Sequence, residues 1–138
     1  MPKSQRTLTM IKPDGVERGL VGTIIKRFEQ KGFRLVAIKM VLASAPAIKE
    51  QYSNKNNETY FQELVKYMTR GPVVPMVWEG PNAIKTCEMM HGKPHVLGSI
   101  RGDFANDLME NVCHASDGEE SAEKDIARWF KPEELITW

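Results

Sequence analysis

The stretch Asn111-Val112-Cys113-His114-Ala115-Ser116-Asp117 places a histidine between an apolar pair and a run of small polar residues. Val112 and Cys113 are typical of the end of a buried strand. The residues from Ala115 to Gly118 are typical of a turn, because Ser, Asp and Gly bond locally or adopt unusual backbone angles. An imidazole at such a junction is carried by a rigid element near the loops, where ligands usually bind. A lone histidine is more often structural, so its role depends on the rest of the chain.

Strand and helix patterns both occur before this stretch. Alternating polar and apolar residues predict a strand over Arg6–Ile11, which stops at a turn formed by Lys12–Gly15. Apolar residues recur at helical spacing from Leu20 to Phe28, and Gly32 is placed as the C-terminal stop of that helix. The other elements predicted here are strands over Leu35–Leu42 and Val73–Trp78 and helices over Ala45–Tyr52, Tyr60–Met68 and Asn82–Met90.

The remaining segments surround the histidine or follow it. His91–Ser99 is predicted to be a compact loop, Phe104–Asn111 a helical turn, and Val112–Cys113 the fourth strand. Ala122–Phe130 has the spacing of a last helix, and Pro132 lies just beyond its end. Strands mixed with helices in so short a chain predict an α+β sandwich, in which helices cover one face of a sheet. Without repeats or linkers, residues 1–138 are expected to form a single domain.

Composition limits the kinds of partner. The chain has 138 residues, with 19 Lys and Arg against 18 Asp and Glu, so its net charge is +1. This balance provides no general attraction to nucleic acids or membranes, and any phosphate site must be a local cluster of positive groups. Cys87 and Cys113 lack the spacing of metal ligands and suit a reduced, intracellular protein. Met1–Gln5 has no apolar core of signal-peptide length, so a cytoplasmic location is expected.

Phosphate binding is often indicated by a glycine-rich loop before a helix, but neither the P-loop pattern nor the dinucleotide fingerprint occurs here. A nucleotide would therefore have to be held by scattered side chains. Lys12, Arg101 and His114 are the positive or hydrogen-bonding groups near predicted strand ends. Each of them alone is more often a solvated surface group.

Asn111-x-x-His114-x-Ser116-Asp117 resembles the active-site signature of nucleoside diphosphate kinases. The resemblance covers nearly the whole chain, because further motifs follow in the family's order, and such a colinear series is far more specific than any single motif. These motifs are Met10-Ile11-Lys12-Pro13-Asp14-Gly15-Val16, Arg18-Gly19-Leu20-Val21-Gly22, Lys31-Gly32-Phe33-Arg34-Leu35-Val36, Gly71-Pro72-Val73-Val74, Trp78-Glu79-Gly80, Ile100-Arg101-Gly102-Asp103-Phe104 and Trp129-Phe130-Lys131-Pro132-Glu133-Glu134-Leu135.

The resemblance implies a ferredoxin-like βαββαβ fold with a four-stranded antiparallel sheet covered by helices. It also implies transfer of the γ-phosphate of a nucleoside triphosphate, typically ATP, to a nucleoside diphosphate. The mechanism would be ping-pong through a phosphohistidine on His114, with Mg2+ on the phosphates, and would maintain NTP and dNTP pools. A homo-oligomer is implied as well, with a hexamer favoured and a tetramer as the alternative. No stable nucleic-acid or membrane partner is expected.

The same resemblance assigns roles to individual residues. The orienting carboxylate falls on Asp125, which is one methylene shorter than the family's glutamate, and Ser116 supports it. The base stacks on Tyr60, and Lys12 and Asn111 contact the ribose hydroxyl groups. Tyr52, Lys12 and Arg101 are assigned to the region of the phosphates.

Two departures from the family pattern leave an alternative open. Glu88 occupies the position of an arginine that clasps phosphate, and the loop His91–Ser99 is shorter by about four residues and lacks the family's threonine. Lys93 is the replacement cation that the sequence offers. The altered Glu88 and Asp125 suit a binding or regulatory protein that has lost efficient transfer. Sequence-specific DNA binding is a weaker alternative, because a basic face and a reader helix are both missing.

Overall fold

A four-stranded antiparallel sheet organises the chain. The computed structural model describes residues 3–138; Met1 and Pro2, which begin the N-terminal stretch considered above, lie outside the described residues. The strand order across the sheet is β2-β3-β1-β4, and this sheet with its helices confirms the predicted ferredoxin-like α+β fold. The strands are β1 (Ser4–Ile11), β2 (Arg34–Ile38), β3 (Val74–Pro81) and β4 (Cys113–Ala115).

Seven helices accompany the sheet within residues 3–138. The helix α2 ends where the sequence predicts, because Gly32 adopts a left-handed φ of 101° and the N–H of Phe33 donates to the carbonyl of Phe28. None of the helices in this part of the chain is both long and apolar enough to cross a membrane. The helices are α1 (Pro13–Glu17), α2 (Val21–Lys31), α3 (Ala45–Gln51), α4 (Phe61–Met68), α5 (Ala83–His91), α6 (Ile100–Phe104) and α7 (Glu119–Trp129).

The helices cover both faces of the sheet, whereas the sequence pattern predicts helices on one face. Successive side chains of a strand point to opposite faces, so Leu8 and Met10 belong to one core and Ile11 to the other. The first core is completed by residues of α3, α4 and α7, and the second by residues of α2, α5 and α6. The alternation of polar and apolar residues does not predict the core on the second face, because β3 is buried on both sides, from Val74 to Trp78.

Of the element boundaries that differ from the prediction, three have a direct physical cause. The expected turn after β1 is the helix α1, since Pro13 occupies its first turn, where the missing N–H costs nothing. β2 ends at Ile38 and not at Leu42, because its neighbour Pro75 has no N–H to extend the ladder. The helical turn expected over Phe104–Asn111 lies earlier, as α6, which ends at Phe104 and whose start is capped by the side chain of Ser99.

The central strand β1 determines where the candidate histidine lies. β1 pairs with β3 along its whole length and, on its other side, with β4. In the second pairing Met10 is opposite His114 and Ile11 is opposite Cys113. The strand β4 begins one residue later than predicted, so His114 lies in the middle of this three-residue strand and not just after its end. It lies beside the end of β1, where Lys12 follows.

Gly32→Ala should lower the free energy of unfolding by about 1 kcal/mol, because alanine adopts a left-handed backbone poorly. A Cβ at position 32 meets no atom within 4 Å, so only the backbone would respond. Gly22 in α2 is the matched control, since it is equally open and has an ordinary φ. Gly22→Ala should stabilise the chain by about 0.5 kcal/mol. Urea unfolding measures both values, and equal shifts for the two variants would contradict this account of the helix end.

Candidate active site

A cavity of about 920 Å³ opens between the end of β1, the helix α3 and the start of α7. Its lining contains the predicted site residues with one exception, Glu88. The fold thus brings together groups that are scattered from one end of the sequence to the other. The predicted residues in the lining are Lys12, Tyr52, Tyr60, Arg101, Asn111, His114, Ser116 and Asp125.

His114 is held through one of its two ring nitrogens. Its Nε2 lies 3.4 Å from Oδ2 of Asp125 and 3.4 Å from the amide nitrogen of Gln51. Tyr52 packs edge-on against the ring, with the ring centroids 5.8 Å apart. Within residues 3–138 both hydrogen-bond contacts of the imidazole are at Nε2. Nδ1 is therefore the nitrogen left for a ligand in the cavity.

The carboxylate of Asp125 reaches the histidine despite its short side chain. It is only 5% exposed and is surrounded by donors. Its Oδ2 accepts a hydrogen bond of 2.7 Å from Ser116, and its Oδ1 accepts bonds from Gln51 at 3.1 Å and from Arg128 at 2.9 Å. A buried carboxylate with four donors is fixed in position and remains charged.

The electrostatics of the pair favour a neutral ring. Burial lowers the pKa of His114 below its ordinary value of 6.5, and the hydrogen bond to Asp125 only partly opposes this effect. Burial by itself raises the pKa of Asp125, but hydrogen bonds from His114 and Ser116 outweigh burial, so its pKa is lowered. At neutral pH the site therefore contains a neutral imidazole next to a carboxylate. That combination leaves a lone pair on the ring for attack and an anion to stabilise the positive charge that follows.

Two cations occupy the wall beside the histidine. Lys12 is 4% exposed, and its Nζ donates a hydrogen bond of 2.7 Å to the side-chain oxygen of Asn111. Burial and the nearby Arg101 lower the pKa of Lys12 to about 7. Arg101 is fixed by two hydrogen bonds to the carbonyl of Cys113, at 2.7 and 3.1 Å. Positive groups crowded together at low dielectric favour an anionic ligand.

A strained residue just before β4 supports the position of His114. Val112 has a φ of 66°, which is a rare backbone conformation for a β-branched residue. Its N–H donates to Oδ2 of Asp14 at 3.1 Å, and its carbonyl accepts from the N–H of Lys12 at 2.8 Å. Asp14 in turn accepts a short hydrogen bond from the hydroxyl of Tyr67. Gly15 allows the close approach, because a Cβ there would lie 2.9 Å from the carbonyl of Val112.

Gln51 and Arg128 are site residues that the sequence analysis missed. Gln51 precedes the predicted Tyr52, and Arg128 lies one turn after Asp125 on α7. The only available signal was the spacing of three residues between Asp125 and Arg128, which places both on one face of a helix. No local pattern indicates Gln51, because it meets these residues only in the folded chain.

The remaining candidates lie elsewhere. Neither Glu88 nor Lys93 belongs to the lining of the cavity, so the role predicted for Glu88 is a prediction without geometric support. The prediction that His91 begins the loop His91–Ser99 is wrong: His91 ends α5, is 9% exposed, and its Nδ1 lies 2.6 Å from the carbonyl of Glu88. Burial lowers the pKa of His91 to about 3. His95 is exposed in the loop that follows α5.

The family model and the curated proteins that match this chain belong to one family. The family model described as nucleoside diphosphate kinase matches residues 5–135. Two similar curated proteins are nucleoside diphosphate kinase A 2 of Bos taurus and nucleoside diphosphate kinase A of Rattus norvegicus. Each is 54% identical to this chain over 142 residues, which covers 100% of the chain and 93% of the relative.

Solved structures of the same family are similar to this chain over nearly its whole length. A halophilic nucleoside diphosphate kinase from Halobacterium salinarum, in complex with CDP, superposes with a TM-score of 0.95 at 39% identity, covering 99% of this chain and 93% of that one. The Aquifex aeolicus nucleoside diphosphate kinase has a TM-score of 0.93 at 38% identity, with coverages of 97% and 100%.

Tyr67→Phe should lower the free energy of unfolding by about 1–3 kcal/mol, because it removes a donor from the buried carboxylate of Asp14. Tyr60→Phe is the matched control, since no hydrogen bond of the Tyr60 hydroxyl is present within residues 3–138. That variant should stay within about 0.5 kcal/mol of the parent chain. Urea unfolding followed by fluorescence makes the comparison. If Tyr67→Phe is as stable as Tyr60→Phe, the hydrogen bond does not support the strained segment.

Proposed function

This chain belongs to the nucleoside diphosphate kinase family, and we propose that His114 is the residue on which it carries the phosphoryl group. The chain is an enzyme that transfers the terminal phosphate of a nucleoside triphosphate to a nucleoside diphosphate, and a ping-pong reaction through a phosphohistidine is general to this family. The observation that carries the assignment is the one-sided anchoring of His114. A buried carboxylate binds Nε2, and Nδ1 is left to the cavity.

Two half-reactions follow from this arrangement. In the first, the lone pair of Nδ1 attacks the terminal phosphorus, and the bond from that phosphorus to the bridging oxygen breaks, so that the nucleoside diphosphate leaves. In the second, a terminal oxygen of another nucleoside diphosphate attacks the phosphorus, and the bond to Nδ1 breaks. Because the two polyanions never share the site, their repulsion is avoided. Asp125 stabilises the positive charge on the phosphorylated ring, and Lys12 and Arg101 offset the negative charge of the phosphates.

The nucleoside is proposed to lie at the other end of the cavity. Tyr60 would stack on the base, Asn111 and Lys12 would contact the ribose hydroxyl groups, and Tyr52 would lie near the phosphates. The support is that all four line one cavity with His114 and that a close structural neighbour is a complex with CDP. A flat ring supplies stacking without hydrogen-bond readout, so little discrimination between bases is expected.

Mg2+ is proposed to enter with the nucleotide. Within residues 3–138 no group of three or more His, Cys, Asp or Glu side chains is arranged to hold a metal ion. This fits a metal held mainly by phosphate oxygens and water, with one or two protein carboxylates at most. Asp107 and Asp117, which line the cavity, are the carboxylates that would take part. When bound, Mg2+ neutralises part of the phosphate charge.

A homo-oligomer is part of the same proposal, with a hexamer favoured and a tetramer as the alternative. The support is an apolar strip where β2 ends at the edge of the sheet. Ile38, Met40 and Leu42 are 43%, 59% and 77% exposed. A row of large apolar side chains beside a sheet edge suits contact with another copy of the chain.

Incubation with labelled ATP and no acceptor should leave one acid-labile, alkali-stable phosphate on the chain. His114→Ala should abolish the label, because within residues 3–138 it is the histidine that lines the cavity with Lys12 and Arg101. His95→Ala is the control and should keep it, since His95 is exposed and lies outside the lining of the cavity. Liquid scintillation counting after denaturation measures the bound phosphate. Retention of the label by His114→Ala would contradict the assignment.

Nucleotide binding should take up about one proton at about pH 8. The pKa of Lys12 is about 7 in the free protein, so its amine is mostly neutral at that pH, and nearby phosphates would raise the pKa. The affinity should therefore fall as the pH rises above about 7. Isothermal titration calorimetry in buffers of different ionisation enthalpy measures the uptake.

The control for this prediction is a variant with an exposed lysine replaced. Lys12→Met should bind nucleotide without taking up a proton, whereas Lys26→Met should behave as the parent chain, because Lys26 is exposed on α2. Equal uptake by the parent and Lys12→Met would show that another group titrates.

A further inference from the structure

Arg128 lines the cavity, but its side chain is mostly buried and its guanidinium is held by hydrogen bonds to other residues of the chain. Its side chain is 16% exposed. A single nitrogen, Nη1, donates to Oε1 of Gln51 and to Oδ1 of Asp125, both at 2.9 Å. Its Nε lies 3.6 Å from Oε1 of Glu50. The guanidinium thus ties α7 to α3 on the side of Asp125 that faces away from His114.

The four hydrogen bonds of Asp125 divide evenly between its two oxygens. Oδ1 accepts from Gln51 and Arg128, and Oδ2 accepts from Ser116 and lies near Nε2 of His114. With Oδ1 held by two donors, the carboxylate cannot rotate without losing hydrogen bonds. The contact with His114, at 3.4 Å, is the longest of the four, so it is the first to be lost if the carboxylate turns.

Because of Gln51, the tautomer of His114 depends on whether the carboxylate of Asp125 rotates. Its Oε1 accepts from Arg128 and, at 2.8 Å, from Nε1 of Trp129, so its amide nitrogen faces Asp125 and the imidazole. That nitrogen lies 3.4 Å from Nε2 of His114. A carboxylate stabilises the proton on Nε2, whereas an amide donor stabilises a lone pair there. The charged acceptor is the stronger partner as long as it stays in place.

We propose that Arg128 is a positioning residue for the transfer reaction. By holding Oδ1 of Asp125 and Oε1 of Gln51, it keeps Oδ2 on Nε2 of His114 and so leaves the lone pair on Nδ1, the attacking nitrogen. Without Arg128 the carboxylate turns, the Gln51 amide binds Nε2, and the ring proton moves to Nδ1. The inference rests on the proposed role of His114 and adds the residue that fixes its reactive tautomer, Arg128.

Arg128→Leu should slow phosphorylation of the full chain by ATP about tenfold to a hundredfold at saturating nucleotide, with little change in the KM for ATP. Lys26→Leu removes a positive charge from the exposed face of α2 and should react as the parent does. Rapid-quench single-turnover kinetics makes the comparison. A raised KM with an unchanged maximal rate would overturn the proposal, because it would mean that Arg128 binds the phosphates directly.

A spectroscopic measurement tests the same proposal without nucleotide. NMR of the chain with isotope-labelled histidine nitrogens reports which nitrogen of His114 carries the proton. The parent should carry it on Nε2, and Arg128→Leu should show a substantial population with the proton on Nδ1. Identical spectra for the two would overturn the proposal. If instead the parent is never phosphorylated on His114, the proposed function fails while the tautomer measurement still decides the role of Arg128.

Two further variants separate positioning from general damage. Arg128→Gln keeps a donor without the double contact; if Arg128→Leu does not fold, this variant replaces it, with an expected slowing of about threefold to tenfold. In an Asp125→Ala background, Arg128→Leu should slow phosphorylation by less than about twofold, because the carboxylate through which it acts is absent. A full additional loss in that background would overturn the proposal.

Discussion

The pairing of β4 with the end of β1 is the constraint from which the site follows. It places His114 opposite Met10, so that Lys12, which follows the end of β1, lies beside it. The pairing depends on the strained turn at Val112, whose N–H and carbonyl are both taken up by the segment Lys12–Asp14. The strain has a cost of order 1–3 kcal/mol, which is offset by two buried hydrogen bonds, one that the N–H of Val112 donates to Asp14 and one that its carbonyl accepts from Lys12. These buried hydrogen bonds thus fix the strand that carries the imidazole of His114.

The charges around that imidazole are arranged for a ligand that the chain itself does not contain. Lys12 and Arg101 are crowded near His114, and burial lowers the pKa of both Lys12 and His114. The carboxylate in contact with the ring, that of Asp125, accepts hydrogen bonds from Ser116 and Arg128. A polyanion entering the cavity would relieve this crowding and bring the terminal phosphate to the free ring nitrogen. In the proposed reaction, nucleotide binding and the neutral state of His114 would therefore both depend on the same excess of positive charge.

Most residues that the sequence predicts for the site line the cavity, but the hydrogen bonds between them could not be predicted from the sequence. Periodicity located α2 and its Gly32 stop, because an amphipathic face and a left-handed end are local properties. The strand order came from the family resemblance, since pairing joins residues far apart. Gln51 and Arg128 were missed because their hydrogen bond links positions 77 residues apart. The burial of His91 was missed as well: next to Gly92 it resembles a loop residue, and only the packing of α5 shows otherwise.

The central claim is that the protein anchors Nε2 of His114 and presents Nδ1 to the phosphate. NMR of the chain carrying isotope-labelled histidine nitrogens, recorded after phosphorylation by ATP, identifies the nitrogen bonded to phosphorus. The account predicts a phosphorus–nitrogen coupling at Nδ1 of His114 and a retained proton on Nε2. Coupling at Nε2, or at either of the other two histidines, would contradict it.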